Sequence, residues 1–149
     1  MSATETAFVA LCSNAETAFV ALGSNLGDRA RMLDGARRAI SLLPATYLRA
    51  ASVVEETEPL GGRSQPFFLN QMLRLETRLT PHALLARLLM LERAFGRRRD
   101  ARWSDRTLDC DIVAYGQVVM ADATLVLPHP GIPDRDFWQR GLAALADAA

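Results

Sequence analysis

Asp109 and Asp111 stand two residues apart in a stretch, Thr107 to Tyr115, that reads as a strand. The pleat of a strand puts both carboxylates on one face, about 7 Å apart at Cα, and turns Leu108, Cys110 and Ile112 the other way, into a core. Two adjacent carboxylates repel each other and raise one pKa unless a cation joins them. Oxygen ligands at this spacing suit Mg²⁺, and two ions could share them with a polyphosphate. A solvated strand face that carries two Asp by chance is the plainer alternative. Just upstream lie Arg97, Arg99, Arg102 and Arg106, with Trp103 among them. Guanidinium groups bind phosphate bidentately, and an indole could close over a bound ligand. A basic surface loop or an RNA-binding module would show the same residues. The acidic pair beside them disfavours RNA and favours a metal-bridged polyphosphate. Neither a P-loop nor a kinase glycine-rich loop is present, so a nucleotide enzyme with this sequence must use another architecture.

A second group could hold a flat ring. Phe68 and Asn70 fall on one face of an alternating segment, opposite Leu69, Leu73, Leu75 and Leu79. Phe can stack on a heterocycle, and Asn offers a donor and an acceptor. A packing contact and a solvated amide would look the same. His129 lies in a rigid Pro-His-Pro turn, where a structural or surface histidine is equally consistent. Glu92 borders an apolar helical stripe just before the arginines and could be a surface Glu paired with Arg.

Composition limits the alternatives. The chain has 149 residues, enough for one domain with a core, and its 17 basic residues balance 17 acidic ones. That balance argues against a partner chosen by bulk charge, such as non-specific nucleic acid or an anionic membrane. Every basic residue is Arg, which excludes a lysine-dependent mechanism. Two Cys cannot build a disulfide framework or a four-Cys zinc site, and two His are too few for most His-based metal sites. There is no apolar run of membrane-spanning length and no signal-peptide pattern, so the reading is a soluble, cytoplasmic protein.

The elements that must position these residues follow in order. Ala18–Leu22 reads as a buried strand and Gly23–Asp28 as a turn-rich loop. Met32, Leu33, Ala36, Ala39, Ile40 and Leu43 recur at helical spacing over residues 29–43. Residues 46–57 suit a strand, 58–66 a loop and 68–79 a strand. Thr80 is a good N-cap and Pro81 a good first residue for a helix whose stripe is Leu84, Leu85, Leu88, Leu91 and Phe95. After the Thr107–Tyr115 strand come a turn, a short return strand over 118–120, a proline-rich segment and a last helix from about Asp134. The order β-α-β-β-α-β predicts an α+β, ferredoxin-like domain: an antiparallel sheet with helices on one face.

One further pattern is a repeat: ETAFVALCSN at 5–14 and ETAFVALGSN at 16–25. Only the second copy has glycine at the strand exit, at Gly23, and leads directly into the first helix. Residues 1–15 are therefore expected to be an appendage, frayed or added at a sheet edge, and residues 16–149 the functional domain. A monomer is expected, with Phe8, Val9 and Leu11 of the appendage as a route to self-association.

Taken together, the signals occur in a specific order: FVALGSNLGD at 19–28, TEPLG at 57–61, QPFFLN at 65–70, LERAFGR at 91–97, RWSDRTLDCD at 102–111, and LPHP at 127–130 with RDF at 135–137. This order resembles the 6-hydroxymethyl-7,8-dihydropterin pyrophosphokinase family of folate biosynthesis. The resemblance covers roughly residues 16–140. It implies pyrophosphoryl transfer from ATP to a pterin hydroxyl, with AMP released. It places two Mg²⁺ on Asp109 and Asp111, and ATP phosphates on Arg97, Arg99 and Arg106. Glu92, Ile112, His129 and Arg135 would lie on the nucleotide side, and Trp103 on a loop that closes over the substrates. Thr57, Pro59, Leu60, Phe68, Asn70 and Phe137 would form the pterin pocket, with Gly23 and Ser24 at its floor. The substrate hydroxyl is the nucleophile, and Asp111 is the nearest candidate base.

The chain departs from the family pattern in four places. Glu55-Glu56 stands where the family usually has Tyr-Arg, and Ser104-Asp105 where it commonly has Gly-Pro. The loop before Trp103 is about one residue short. Gln139-Arg-Gly-Leu142 replaces Leu-x-Pro-Leu. The alternative these departures raise is a catalytically impaired relative that binds pterin or nucleotide without turnover.

Overall fold

The structure is a computed structural model and describes residues 10–62, 64–96 and 107–146. The chain runs β1 (Leu11–Ser24), α1 (Arg29–Ser41), β2 (Thr46–Ala51), β3 (Glu55–Thr57), β4 (Phe68–Leu79), α2 (Pro81–Ala94), β5 (Asp109–Tyr115), β6 (Met120–Ala121), β7 (Val126–Leu127) and α3 (Asp136–Leu145). The long strands lie in the order β5-β1-β4-β2, each neighbouring pair antiparallel, and β3 continues the β2 edge alongside β4. This is the α+β, ferredoxin-like arrangement expected from the element order. Both βαβ crossovers place their helices, α1 and α2, on one face. There Leu33, Ala36, Ile40, Leu84 and Leu88 pack on Val20, Leu22, Leu73, Leu75 and Ile112.

The helix ends follow their local chemistry. The Asp28 carboxylate accepts the Arg31 N–H at 3.1 Å, and the Thr80 hydroxyl accepts the Ala83 N–H at 3.2 Å, so both N-termini have a donor satisfied. Pro81 begins α2, where its missing N–H costs nothing.

Four features differ from the sequence reading. The helices do not all lie on one face. α3 covers the opposite side of the sheet, because Trp138, Phe137, Leu142 and Leu145 need an apolar floor and find it in Ala21, Met72 and Val113. α3 begins at Asp136, since Ile132–Asp134 forms a 3-10 turn first. The edge strand expected over 46–57 is interrupted: Ser52 inserts its hydroxyl into the ladder, accepting the Met72 N–H at 2.8 Å, and Val53 is turned out to solvent. From Ala51, opposite Leu73, to Glu55, opposite Asn70, the edge uses one residue more than β4. Finally, the short return strand does not fold back on β5. Met120–Ala121 pairs with Val126–Leu127 instead.

A bulge in β5 matters for the site. Ala114 is opposite Phe19 but Ile112 is opposite Val20, so Val113 is extra. It lets Asp109, Asp111 and Val113 face α3 while Tyr115 turns to the α1/α2 side, where its hydroxyl donates to the Leu79 carbonyl.

β1 divides into two halves. Residues 18–24 are the buried centre of the sheet, apart from a half-buried Phe19, and belong to the second copy of the repeat. Residues 11–15, from the first copy onward, continue the same strand outward rather than forming a frayed or edge segment. They are mostly exposed, with Leu11 opposite Leu79 and a register shift before Glu16. Phe8 and Val9 lie outside the described residues. Since the buried half lies wholly within the second copy, deletion of residues 2–14 is expected to leave folding and turnover intact. Circular dichroism and a turnover assay on the truncated chain check this, and a truncated chain that cannot fold would assign the core to the first copy.

Candidate active site

A cleft open to solvent lies on the α3 side of the sheet, where β1, β4 and β5 meet the start of α3. Its floor is Ala21, Leu22 and Gly23 of β1. One wall is Phe68 and Asn70 of β4 with Thr57 and Leu60, and the other is Phe137, Trp138 and Arg135. Asp109 and Asp111 stand at one end.

The alternation of β4 explains the first wall. Phe68, Asn70 and Met72 point to the α3 side because Leu69, Leu73 and Leu75 are taken by the α1/α2 core. Asn70 is held: its amide donates to the Thr57 hydroxyl at 2.6 Å and more weakly to the Glu55 carbonyl at 3.5 Å. That leaves Oδ1 on the Gly23 side of the cleft, where a Cβ added to Gly23 would come within 3.4 Å of it. That is an ordinary contact, so close approach does not by itself require glycine at position 23. It is not among the positive-φ residues, so the left-handed freedom it could have offered is not used.

The acidic end is built by β5. Asp109 and Asp111 share the cleft face as their spacing requires, opposite Gly23 and Ala21 of β1. The residues between and beyond them, Cys110 and Ile112, are buried on the other face. Beneath the pair, Glu92 is 1% exposed and accepts the Cys110 N–H at 2.8 Å. A buried carboxylate thus fixes the backbone that carries both aspartates.

His129 stands beside Asp111, with Nε2 at 3.8 Å from Oδ1. Its Nδ1 accepts the Gly131 N–H at 2.9 Å, so a neutral ring carries its proton on Nε2, toward Asp111. Its main-chain N–H donates to the Val113 carbonyl, and its ring packs edge-on against Trp138 at 4.8 Å. Burial first, and the nearby Arg135 second, hold its pKa below the ordinary value, while Asp109 pulls the other way. The Arg135 guanidinium lies 4.6 Å above the Trp138 ring and donates to the Gly131 carbonyl. The cleft end is thus acidic on β5, with a cationic side chain held across from it on the approach to α3.

Of the residues singled out from the sequence, Gly23, Thr57, Leu60, Phe68, Asn70, Asp109, Asp111, Arg135 and Phe137 line this one cleft, and His129 adjoins it. Ser24 and Pro59 are buried behind it. The Ile112 side chain is 2% exposed in the α1/α2 core. Glu92 is not a surface residue but the strut described above. Arg97, Arg99, Trp103 and Arg106 lie outside the described residues. Glu58, Gln65 and Trp138 also line the cleft and were not singled out. Trp138 carried a usable signal, as an aromatic beside Phe137 at the start of an amphipathic helix.

An acidic pair in one cleft with Phe68, Asn70 and Phe137, on a ferredoxin-like sheet, has the make-up of a small-molecule site rather than a nucleic-acid surface. Comparison with known proteins narrows the class. Residues 19–147 match the model of the 7,8-dihydro-6-hydroxymethylpterin-pyrophosphokinase (HPPK) family, and the chain belongs to that family. Over 122 residues it is 41% identical to the 2-amino-4-hydroxy-6-hydroxymethyldihydropteridine pyrophosphokinase of Methylorubrum extorquens, covering 82% of this chain and 77% of that protein. Over 132 residues it is 40% identical to the protein of the same name from Haemophilus influenzae, covering 89% and 76%. It is also 33% identical, over 122 residues, to the folic acid synthesis protein fol1 of Schizosaccharomyces pombe, where 82% of this chain matches only 17% of the longer protein. No helix among the described residues is long and apolar enough to cross a membrane.

Proposed function

We propose that this chain transfers the pyrophosphoryl group of ATP to the hydroxymethyl oxygen of 6-hydroxymethyl-7,8-dihydropterin and releases AMP, as a step of folate biosynthesis. The observation that carries this reading is that Phe68, Asn70 and Phe137 line the same cleft as the carboxylates of Asp109 and Asp111. A pterin seated in a slot between the two phenylalanines would have its substituent at the acidic end, where a metal-held polyphosphate would meet it.

The donor set fits Mg²⁺ carried in with a polyphosphate. The described residues hold no cluster of three or more His, Cys, Asp or Glu that would cage an ion by themselves. Two carboxylates on one face are what an ion needs that keeps water and phosphate as its other ligands. When bound, Mg²⁺ offsets the charge that develops on the phosphates, and two ions could share the pair. The chain's own work is binding and alignment. Phe68 and Phe137 hold the ring, Asn70 fixes its orientation, and Glu92 keeps β5 in register beneath the aspartates. Arg135 faces the cleft as a cation for the nucleotide, with His129 beside Asp111. The pterin oxygen bonds to the β-phosphorus as the bond from that phosphorus to the α–β bridging oxygen breaks, and AMP leaves with the bridging oxygen. Asp111 is our candidate for receiving the hydroxyl proton.

By family resemblance we assign Arg97, Arg99 and Arg106 to the phosphates and Trp103 to closure over the bound substrates. Trp103→Ala and Arg99→Ala are therefore expected to lower kcat more than they weaken pterin binding. Steady-state kinetics beside a pterin titration check this, and loss of pterin affinity with kcat intact would contradict it. We keep a monomer as the proposed working form, and a need for ATP supports the cytoplasm as its place. The test is AMP formation from ATP and Mg²⁺ that depends on added hydroxymethyl pterin. Pterin binding without AMP would instead identify a relative that has lost turnover.

A further inference from the structure

We propose that the Glu55–Arg140 ion pair is a positioning device that sets the width of the pterin slot; this inference rests on the function proposed above. Glu55 begins β3, two residues before Thr57, and Arg140 lies on α3, one helical turn after Phe137. The guanidinium grips both carboxylate oxygens, Nη2 against Oε1 and Nε at 3.4 Å from Oε2. This pair ties the strand at one wall of the slot to the helix that carries the other wall.

Three observations give the tie a purpose. First, Phe137 lines the cleft and also a second depression. This depression is an open groove behind the ring, between β3 and α3, and Glu55 and Arg140 are part of its lining. The packing of Phe137 is on Trp138 and the apolar cluster beneath α3, so the seating of α3 sets how far the ring stands from Phe68. Second, Gly141 lets α3 settle close to the sheet, since a Cβ there would come within 2.7 Å of the Met72 Cβ. This brings Arg140, the preceding residue, down to the height of β3. Third, the Glu55 main chain accepts from the Asn70 amide, the same group that bonds Thr57. One residue thus touches the α3 wall through its side chain and the Asn70 wall through its carbonyl. The pair also joins two of the places where the chain departs from the family pattern, Glu55 on β3 and the Arg140-Gly141 segment of α3.

The pair is partly exposed, with Glu55 and Arg140 side chains 36% and 56% accessible, so its effect should be moderate and sensitive to salt. The test compares Glu55→Ala, Arg140→Ala, the double variant and the reversed pair E55R/R140E. Pterin affinity is read by fluorescence titration, and KM for pterin and for ATP by AMP release. Each single variant should weaken pterin binding about three- to tenfold and leave KM for ATP unchanged. The double variant should be no worse than either single one, and the reversed pair should recover most of the loss. Pterin affinity unchanged in both single variants, losses that multiply in the double variant, or no recovery on reversal would overturn the proposal. Wild-type protein that binds pterin but forms no AMP would refute the proposed turnover, while the titrations would still decide the role of the pair.

Discussion

Asp109→Ala and Asp111→Ala are each expected to lower turnover about a thousandfold or more, while the fold survives. The two carboxylates lie on the cleft face of β5, and the Asp111 side chain is 34% accessible, so truncation opens no hole in a core. The register of β5 is held from beneath by Glu92 on the Cys110 N–H and from the side by the ladder with β1, neither of which uses the aspartate side chains. On the function proposed above, each variant would lose an oxygen ligand for Mg²⁺ bound with the phosphates. That interaction grows with the charge in the transition state and is worth several kcal/mol there. Turnover assays beside thermal melts separate the two effects. Near-normal turnover in either variant would remove the acidic pair from the reaction, and collapse of the melt in both would give it a structural role instead.

Phe137→Ala should weaken pterin binding by about ten- to a hundredfold, with KM for ATP little changed, because a stacked aromatic contributes on the order of 1–3 kcal/mol per ring face. The ring is partly buried and faces the cleft, whereas its neighbour Trp138 is 5% exposed and belongs to the apolar cluster beneath α3. Trp138→Ala is the contrasting variant, in which stability falls along with binding because a core side chain is removed. A titration that finds pterin affinity intact in a folded Phe137→Ala protein would place the ring elsewhere.

The shared faces of the candidate cleft were legible because strands alternate. Once residues 68–79 and 107–115 are read as strands, Phe68 with Asn70 and Asp109 with Asp111 must share faces, whatever the tertiary contacts. The helix cap at Thr80 was legible from its local sequence, whereas Asp28 was read only as the end of a turn-rich loop. Three other things were not legible. The period-two rule says that Asp109 and Asp111 share a face but not which helix covers it, and α3 crosses to the opposite side from α1 and α2. The extra residue at Val113 breaks the alternation by one step, and only the partner strand reveals it, since Tyr115 would otherwise have been placed on the aspartate face. Glu92 looked like a surface charge because a carboxylate on a helix usually is one. Its burial is set by the Cys110 N–H on a strand 18 residues away, a tertiary partner that spacing along α2 cannot announce.

The interruption of the edge strand at Ser52 belongs to the same class. A serine in a run of β-formers carries no mark that its hydroxyl will replace a main-chain group in the ladder. Glu55 and Arg140 show the limit most plainly. Separated by 85 residues, each is an unremarkable charge in its own segment, and only the seating of α3 on β4 brings them together.

The central claim is that pterin slot and acidic pair act as one site for pyrophosphoryl transfer. Phosphorus NMR on the wild-type protein with ATP, Mg²⁺ and 6-hydroxymethyl-7,8-dihydropterin tests it most directly. The account predicts AMP and a pterin diphosphate appearing in equal amounts at the rate ATP is lost, and no such conversion in the Asp111→Ala variant. ADP with a pterin monophosphate, or free pyrophosphate with unchanged pterin, would contradict it.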